Sequence, residues 1–150
     1  MAIQEFKATV SLKEGLFVEA NARGFTVQMD EPEQLGGTNK AMNPVELLLS
    51  ALGGCLTITI AAFSKAAHVE IEDCKVHVTG DLDPDGFLGL NKDVRKGFMQ
   101  IRYQVEIVSN SPEEKIKKLM KMVEERCPVS DTLKGVEVIG DVNIVNNKSS

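Results

Sequence analysis

The three cysteines of this 150-residue sequence include no C-x-x-C pair, and only two histidines accompany them. A secreted disulfide framework is not built from such a set. His68 with scattered cysteines makes no zinc site, so neither a metal nor an organic cofactor is expected. Basic character is also missing. Lys and Arg total 17 against 22 Asp and Glu, a net charge of −5, which argues against nucleic acid as the main partner. The cluster Lys115, Lys117, Lys118 and Lys121 reads as a solvated helix face. No internal repeat and no low-complexity segment occurs. The N-terminal Met-Ala-Ile-Gln-Glu-Phe-Lys looks like a strand rather than a signal peptide. A cytoplasmic protein is therefore expected, in which a disulfide would be catalytic or redox-sensing rather than structural.

Hydrophobic residues make up 43% and charged residues 26%, the balance of an ordered globular chain. The length suits a single domain over residues 1–150. Its centre of organisation is Asn43 to about Ala67. Asn43 can cap a helix, Pro44 suits its first position, and Glu46 completes a capping box. From Leu47 to Ser64 no residue is charged. That run is long enough to raise a membrane span. It holds Ser and Thr, it is the only such run, and strand-like segments flank it, so a buried helix is expected and no membrane partner. A helix apolar all round needs cover all round. Gly53 and Gly54 each cost about 1 kcal/mol against Ala in a helix interior. They imply close approach of another backbone, such as a second copy of this helix, or else a local kink. Cys55 follows them. A buried free cysteine is by itself a small hydrophobe, but two adjacent glycines leave room for something to reach its sulfur.

Before this helix, residues 3 to 10 alternate around Phe6, Ala8 and Val10. Glu14-Gly15 turns the chain, and strands follow over Leu16 to Ala22 and Phe25 to Met29. The three form an antiparallel meander. Asp30 to Met42 is a loop of the length that often carries function. After the helix, Cys74 to Leu82 alternates with Val76 and Val78 on one face, leaving His77 on the other with Lys75 and Thr79. His77 is read as a strand histidine facing outward, His68 as a residue near the helix end, and Cys74 as an ordinary small residue. Asp83 to Gly97 is a long loop, and Phe98 to Val108 a long strand with one buried face.

Ser111-Pro112-Glu113-Glu114 resembles a second capping box. Ile116, Leu119, Met120 and Val123 give the inward stripe of the helix it opens. Cys127 continues that stripe, and Pro128 ends the helix at it. Val136 to Ile139 and Val142 to Val145 give one or two short strands, with Asn146 to Ser150 frayed. The order βββ-α-ββ-α-β(β) predicts an α+β fold.

Asn43-Pro44-x-Glu46-Leu47-Leu48 through Gly54-Cys55, followed about seventy residues later by Cys127-Pro128-Val129-Ser130, resembles the OsmC/Ohr family of osmotically induced protein C and organic hydroperoxide resistance proteins. Asp30-x-Pro32, Gly36-Gly37 and the element order extend the resemblance over nearly the whole chain. It implies antiparallel sheets wrapped around a long central helix, an intertwined homodimer with active sites at its interface, and thiol peroxidase chemistry on organic hydroperoxides. It implies that Cys55 is the peroxidatic cysteine and Cys127 the resolving one. It also implies a strand arginine near the N-terminus that activates the thiolate, best matched by Arg23. The peroxidase subgroups carry an acid directly after Asn-Pro; here that position is Val45 and the nearest acid is Glu46. Glu46 is nine residues before Cys55, on the opposite side of a straight helix and about 13 Å away along its axis. Gly53-Gly54 and Leu56 replace the family's Ala-Ala and aromatic around the cysteine, which sets this chain in a less characterised branch.

On that resemblance Cys55 attacks the peroxide as a thiolate. Burial opposes ionisation, so a cation is required, and arginine stays charged at any working pH. The sulfenic acid left on Cys55 condenses with Cys127 to a disulfide, which an external dithiol, lipoyl-type in the family, reduces. Apolar neighbours such as Leu48, Leu52, Phe63 or Phe98 would favour organic hydroperoxides. Two other classes stand beside this one. Val45 favours a non-catalytic dimeric module that binds an apolar or thiol ligand near Cys55. A cysteine hydrolase or acyl carrier would need a partner histidine that the sequence does not offer.

Overall fold

A computed structural model describes residues 2–146; the expectation for the last residues of the tail falls outside them, apart from Asn146. The chain divides into two compact units, Met1–Leu48 and Leu49–Ser150.

The N-terminal unit is the predicted antiparallel meander, in the order β1 (Thr9–Glu14), β2 (Phe17–Ala22), β3 (Phe25–Met29). β1 starts at Thr9 and runs to Glu14, whereas the alternation pointed to residues 3–10. The register explains the difference. Thr9 pairs with Asn21, and β2 ends one residue later at Ala22, so earlier residues have no partner. The turn between β2 and β3 holds Arg23 and Gly24 at φ +53° and +86°. Positive φ at both central residues is the requirement of a type I′ hairpin turn.

Asp30 organises the loop that follows. Its carboxylate accepts from the Glu31 N–H at 2.8 Å, the Thr38 hydroxyl at 2.5 Å and the Lys40 N–H at 3.2 Å. Asp30 is buried. These donors hold its pKa at about 2, the Thr38 hydroxyl contributing most and burial working against it.

Helix α1 (Pro44–Ser64) begins as read. The Asn43 Oδ1 accepts from the Glu46 N–H at 2.9 Å, and the Glu46 Oε1 accepts from the Asn43 N–H at 2.9 Å. By length and composition alone α1 could cross a membrane. Here Leu52, Leu56 and Ile60 are fully buried in the core of the C-terminal unit. Burying a leucine or isoleucine contributes roughly 1.5–3 kcal/mol. Within the single chain Ala51, Gly54, Ile58, Ala61 and Ala62 are exposed, on the faces for which the sequence pointed to a second copy as cover.

The C-terminal unit completes its core with a second sheet, in the order β4 (Asp73–Asp81), β5 (Gln100–Val108), β6 (Glu137–Val145). β4 and β5 are antiparallel, while β6 runs parallel to β5. A parallel partner needs a crossover, supplied by α3 (Glu113–Arg126) and the short α4 (Pro128–Thr132). Ile101, Tyr103, Val105 and Ile107 of β5 meet Ile116, Leu119, Met120 and Val123 of α3 in the core. The outer face is polar. Arg102 grips Asp81 with two nitrogens at 2.7 and 3.0 Å, and His77 stands 3.5 Å from Glu106.

Three local features differ from the sequence reading. The loop after β4 contains a short helix, α2 (Pro84–Leu88), with the Asp83 side chain accepting at its start. The Cys-Pro segment starts α4. The expected capping box at Ser111 does not form: α3 has no side-chain cap, and the Ser111 hydroxyl accepts from the Glu70 N–H instead.

Candidate active site

Cys55 lies near the middle of α1, half-buried, with its carbonyl accepting from the Thr59 hydroxyl at 2.6 Å. Gly53, before it, is buried. A Cβ there would meet the Val78 side chain at 3.1 Å, so the close approach comes from a β4 side chain rather than a backbone. Gly54 is different, since a Cβ there would meet nothing within 4 Å. Gly54 therefore lies on an open part of the helix surface.

Cys127 is the residue between α3 and α4. Pro128 disfavours the helical conformation before it, and Cys127 is extended at φ −71°, ψ 111°. Its N–H still donates to the Val123 carbonyl at 3.0 Å. The side chain is only 1% exposed, on the inward face where the α3 stripe predicted it. Its thiol donates to the Cys55 Sγ across 3.0 Å, and its sulfur accepts from the Ser130 N–H at 3.5 Å. Burial, then the hydrogen bond to Cys55, push the Cys127 thiol above the ordinary range, outweighing the Ser130 and Val129 N–H groups that pull it down.

Two contacts anchor the last turn of α3 just before Cys127. The Tyr103 hydroxyl on β5 donates to the Glu124 carboxylate at 3.2 Å. The Arg126 guanidinium lies 5.2 Å from the centre of the Phe63 ring on α1, within cation–π range. Neither was singled out in the sequence. The signal available for the first was that the only tyrosine sits at an inward position of β5, where its hydroxyl must find a partner. The second had no sequence signal.

Of the other sequence candidates, Arg23 and Glu46 belong to the N-terminal unit and Cys74 to the C-terminal one. Arg23 is in a turn rather than on a strand, with its guanidinium 5.3 Å from the Phe25 ring centre. Glu46 engages the start of α1. Cys74 is half-buried on β4, its thiol pushed up by burial and by Asp73, and it pairs with Ile107 across the sheet. Among the described residues no three His, Cys, Asp or Glu side chains gather to hold a metal ion.

Two cysteines 3.0 Å apart, one reachable and one buried, can exchange between dithiol and disulfide with little movement, since a disulfide needs about 2.05 Å. Residues 37–139 match the family described as OsmC-like protein. Two relatives are each named hydroperoxide reductase. That of Mycoplasma pneumoniae is 29% identical over 137 residues, 89% of either chain. That of Mycoplasma genitalium is 25% identical over 136 residues, 88% of this chain and 89% of its own. The crystal structure of an OsmC-like protein from Mycoplasma pneumoniae superposes with a TM-score of 0.79 at 27% identity, over 95% of this chain and 97% of that one. From the match across most of its length and the shared fold, the protein belongs to the OsmC-like family.

Proposed function

We propose that the protein is a thiol-dependent peroxidase that reduces organic hydroperoxides in oxidative-stress defence, with Cys55 as nucleophile and Cys127 as resolving cysteine. The observation that carries this reading is the 3.0 Å hydrogen bond from the Cys127 thiol to the Cys55 sulfur. It places the two sulfurs within reach of one another for disulfide formation. Cys55 is also the more exposed of the two. Cys127, buried and held protonated, is suited to wait for the second step. The names of the two Mycoplasma relatives support the same chemistry.

In the first step the Cys55 thiolate attacks the terminal peroxide oxygen. The O–O bond breaks, an S–O bond forms, and the alkoxide leaves as the alcohol after taking a proton. Cys55 is then a sulfenic acid. In the second step the Cys127 sulfur attacks the Cys55 sulfur, the hydroxyl leaves as water with the Cys127 proton, and the disulfide forms. An external small dithiol, lipoyl-type in character, then takes the oxidising equivalents and restores both thiols.

Arg23 is proposed as the cation that favours the thiolate. Its left-handed backbone costs a non-glycine residue roughly 1–2 kcal/mol, so the position is held by arginine where Asn or Gly would fit more easily. Glu46 works at the start of α1, and Glu46→Gln tests whether its charge reaches the thiol. The working assembly is proposed to be a homodimer in the cytoplasm. The exposed apolar side chains of the meander, Leu12 at 69% and Phe25 at 67%, and of α1, Ile58 at 71%, support a second copy as their cover. A three-stranded sheet needs an apolar face packed on something to be stable.

Steady-state turnover of cumene hydroperoxide with dihydrolipoamide tests the reading. The native protein is expected to turn over and to prefer cumene hydroperoxide to hydrogen peroxide, with Cys55→Ser inactive. Equal activity of Cys55→Ser and native protein would sink it. A second reading, favoured by Val45, is a dimeric module that binds an apolar or thiol ligand without turnover. It would show Cys55 oxidising no faster than Cys74 in the same protein.

A further inference from the structure

Helix α3 delivers Cys127, so whatever fixes its last turn fixes the reach of the resolving thiol. Glu124 lies three residues before Cys127 on that turn. Its carboxylate accepts from the Tyr103 hydroxyl at 3.2 Å, and Tyr103 is buried on the central strand of its sheet. The strand beside it is shaped for the ring. Gly140 pairs with Tyr103 in the β5–β6 register, and a Cβ on Gly140 would lie 2.2 Å from the ring's Cζ and 2.4 Å from its hydroxyl oxygen. Any side chain at position 140 would push the phenol away from Glu124. Arg126 over Phe63 ties the same turn to α1, the helix that carries Cys55.

We propose that Tyr103 is a positioning residue for the disulfide step: through Glu124 it ties the end of α3 to β5 and holds Cys127 within reach of Cys55. This deepens the peroxidase reading and rests on it for the hydroperoxide, though closure of the pair by another oxidant does not depend on it. Burial and the neighbouring Glu124 charge push the Tyr103 phenol well above its ordinary pKa. The hydroxyl therefore remains a donor throughout the working range. The exposed Arg126 contact is the second tie, so loss of Tyr103 loosens the turn rather than freeing it.

The test uses the full chain and two oxidants. Diamide takes one hydrogen from each thiol, is reduced to its hydrazine, and leaves the Cys55–Cys127 disulfide. One equivalent of cumene hydroperoxide gives the sulfenic acid first. Tyr103→Phe keeps the ring over Gly140 and removes only the donor. Its closure with diamide is expected to slow about fivefold, the scale of one net hydrogen bond. Glu124→Ala, on an exposed position, should slow it similarly. Glu124→Gln, whose amide oxygen still accepts, should close within about twofold of the native rate. In a Cys127→Ser background Tyr103→Phe should leave sulfenic acid formation unchanged, a split that general loosening of the fold would not produce. Native-rate closure in both Tyr103→Phe and Glu124→Ala overturns the inference. A native protein that closes with diamide but ignores the hydroperoxide overturns the peroxidase reading alone. One that forms no Cys55–Cys127 disulfide with either oxidant overturns both.

Discussion

The thiol of Cys127 donates to the sulfur of Cys55 across 3.0 Å, although one lies in the middle of α1 and the other at the far end of the crossover between β5 and β6. The relationship is built by packing. Leu52, Leu56 and Ile60 fix one face of α1 in the core, Leu119, Met120 and Val123 fix α3 against the same core, and Pro128 stops α3 on the turn where its inward face reaches α1. The hydrogen bond also sorts the two thiols. The donor is the buried one, and its proton is held by both burial and Cys55.

That sorting predicts an order of alkylation. Cys127 should be the slowest cysteine to react with iodoacetamide at neutral pH. Its rate should still be climbing at a pH where an ordinary thiol near pKa 8.5 levels off. Peptide mapping of the labelled protein across pH 7–10 checks this. A Cys127 rate that plateaus below pH 8 would contradict the assignment of donor and acceptor.

Alkaline stability should follow the same groups. Tyr103 and Cys127 both have folded-state pKa values raised above their unfolded ones. Their contribution is present in full below the unfolded values, near 8.5 for the thiol and about 10 for the phenol. It is lost as pH rises through the folded values. Denaturant midpoints should therefore fall from about pH 8.5 upward, and Tyr103→Phe should flatten the part of the fall above pH 10. An identical alkaline slope in Tyr103→Phe would remove Tyr103 from this account.

At the acid end the relevant group is Asp30. Its folded pKa of about 2 lies below an unfolded value near 3.9. Its contribution is present above the unfolded value and is lost as pH falls from about 4 toward 2. A carboxyl NMR titration should give a midpoint near 2 for Asp30. Asp30→Ala should open the segment from Glu31 to Met42 to limited proteolysis at pH 7, because the Thr38 and Lys40 donors lose their acceptor. A digestion pattern unchanged from native would show that the carboxylate does not hold this loop.

The capping box at Asn43 should be measurable as stability. Asn43→Ala removes the acceptor for the Glu46 N–H and should cost about 1 kcal/mol in urea unfolding. Gly140→Ala should cost more, roughly 1–3 kcal/mol, because the Tyr103 ring must move for the added methyl. If Gly140→Ala unfolds at the native midpoint, the ring does not rest on that glycine.

Much of this architecture could be read from the sequence, for identifiable reasons. Asn43, Pro44 and Glu46 state the start of α1 locally, and Val76 and Val78 state the inward face of β4. Cys127 could be assigned an inward face because it continues the spacing of Met120 and Val123. What was not legible depended on partners far away in the chain. β1 begins where β2 first provides a partner, not where its alternation begins. Ser111 looks like a cap but serves Glu70, forty-one residues away. The parallel direction of β6 is set by the crossover, to which its own residues give no clue. The Tyr103–Glu124 and Arg126–Phe63 contacts join different elements, and only the solitary tyrosine hinted at one of them. Arg23 is the best match to a strand arginine of the family, although the strand pattern already leaves it between Ala22 and Phe25; with Gly24 it forms the turn.

The central claim is that Cys55 and Cys127 act as one redox unit toward an organic hydroperoxide. Intact mass of the native protein after one equivalent of cumene hydroperoxide tests it most directly, with peptide mapping of the product. The account predicts rapid loss of two hydrogens, a cross-linked peptide joining Cys55 to Cys127, and in Cys127→Ser a sulfenic acid that dimedone traps on Cys55. An unchanged mass, or oxidation spread evenly over Cys55, Cys74 and Cys127, would contradict it.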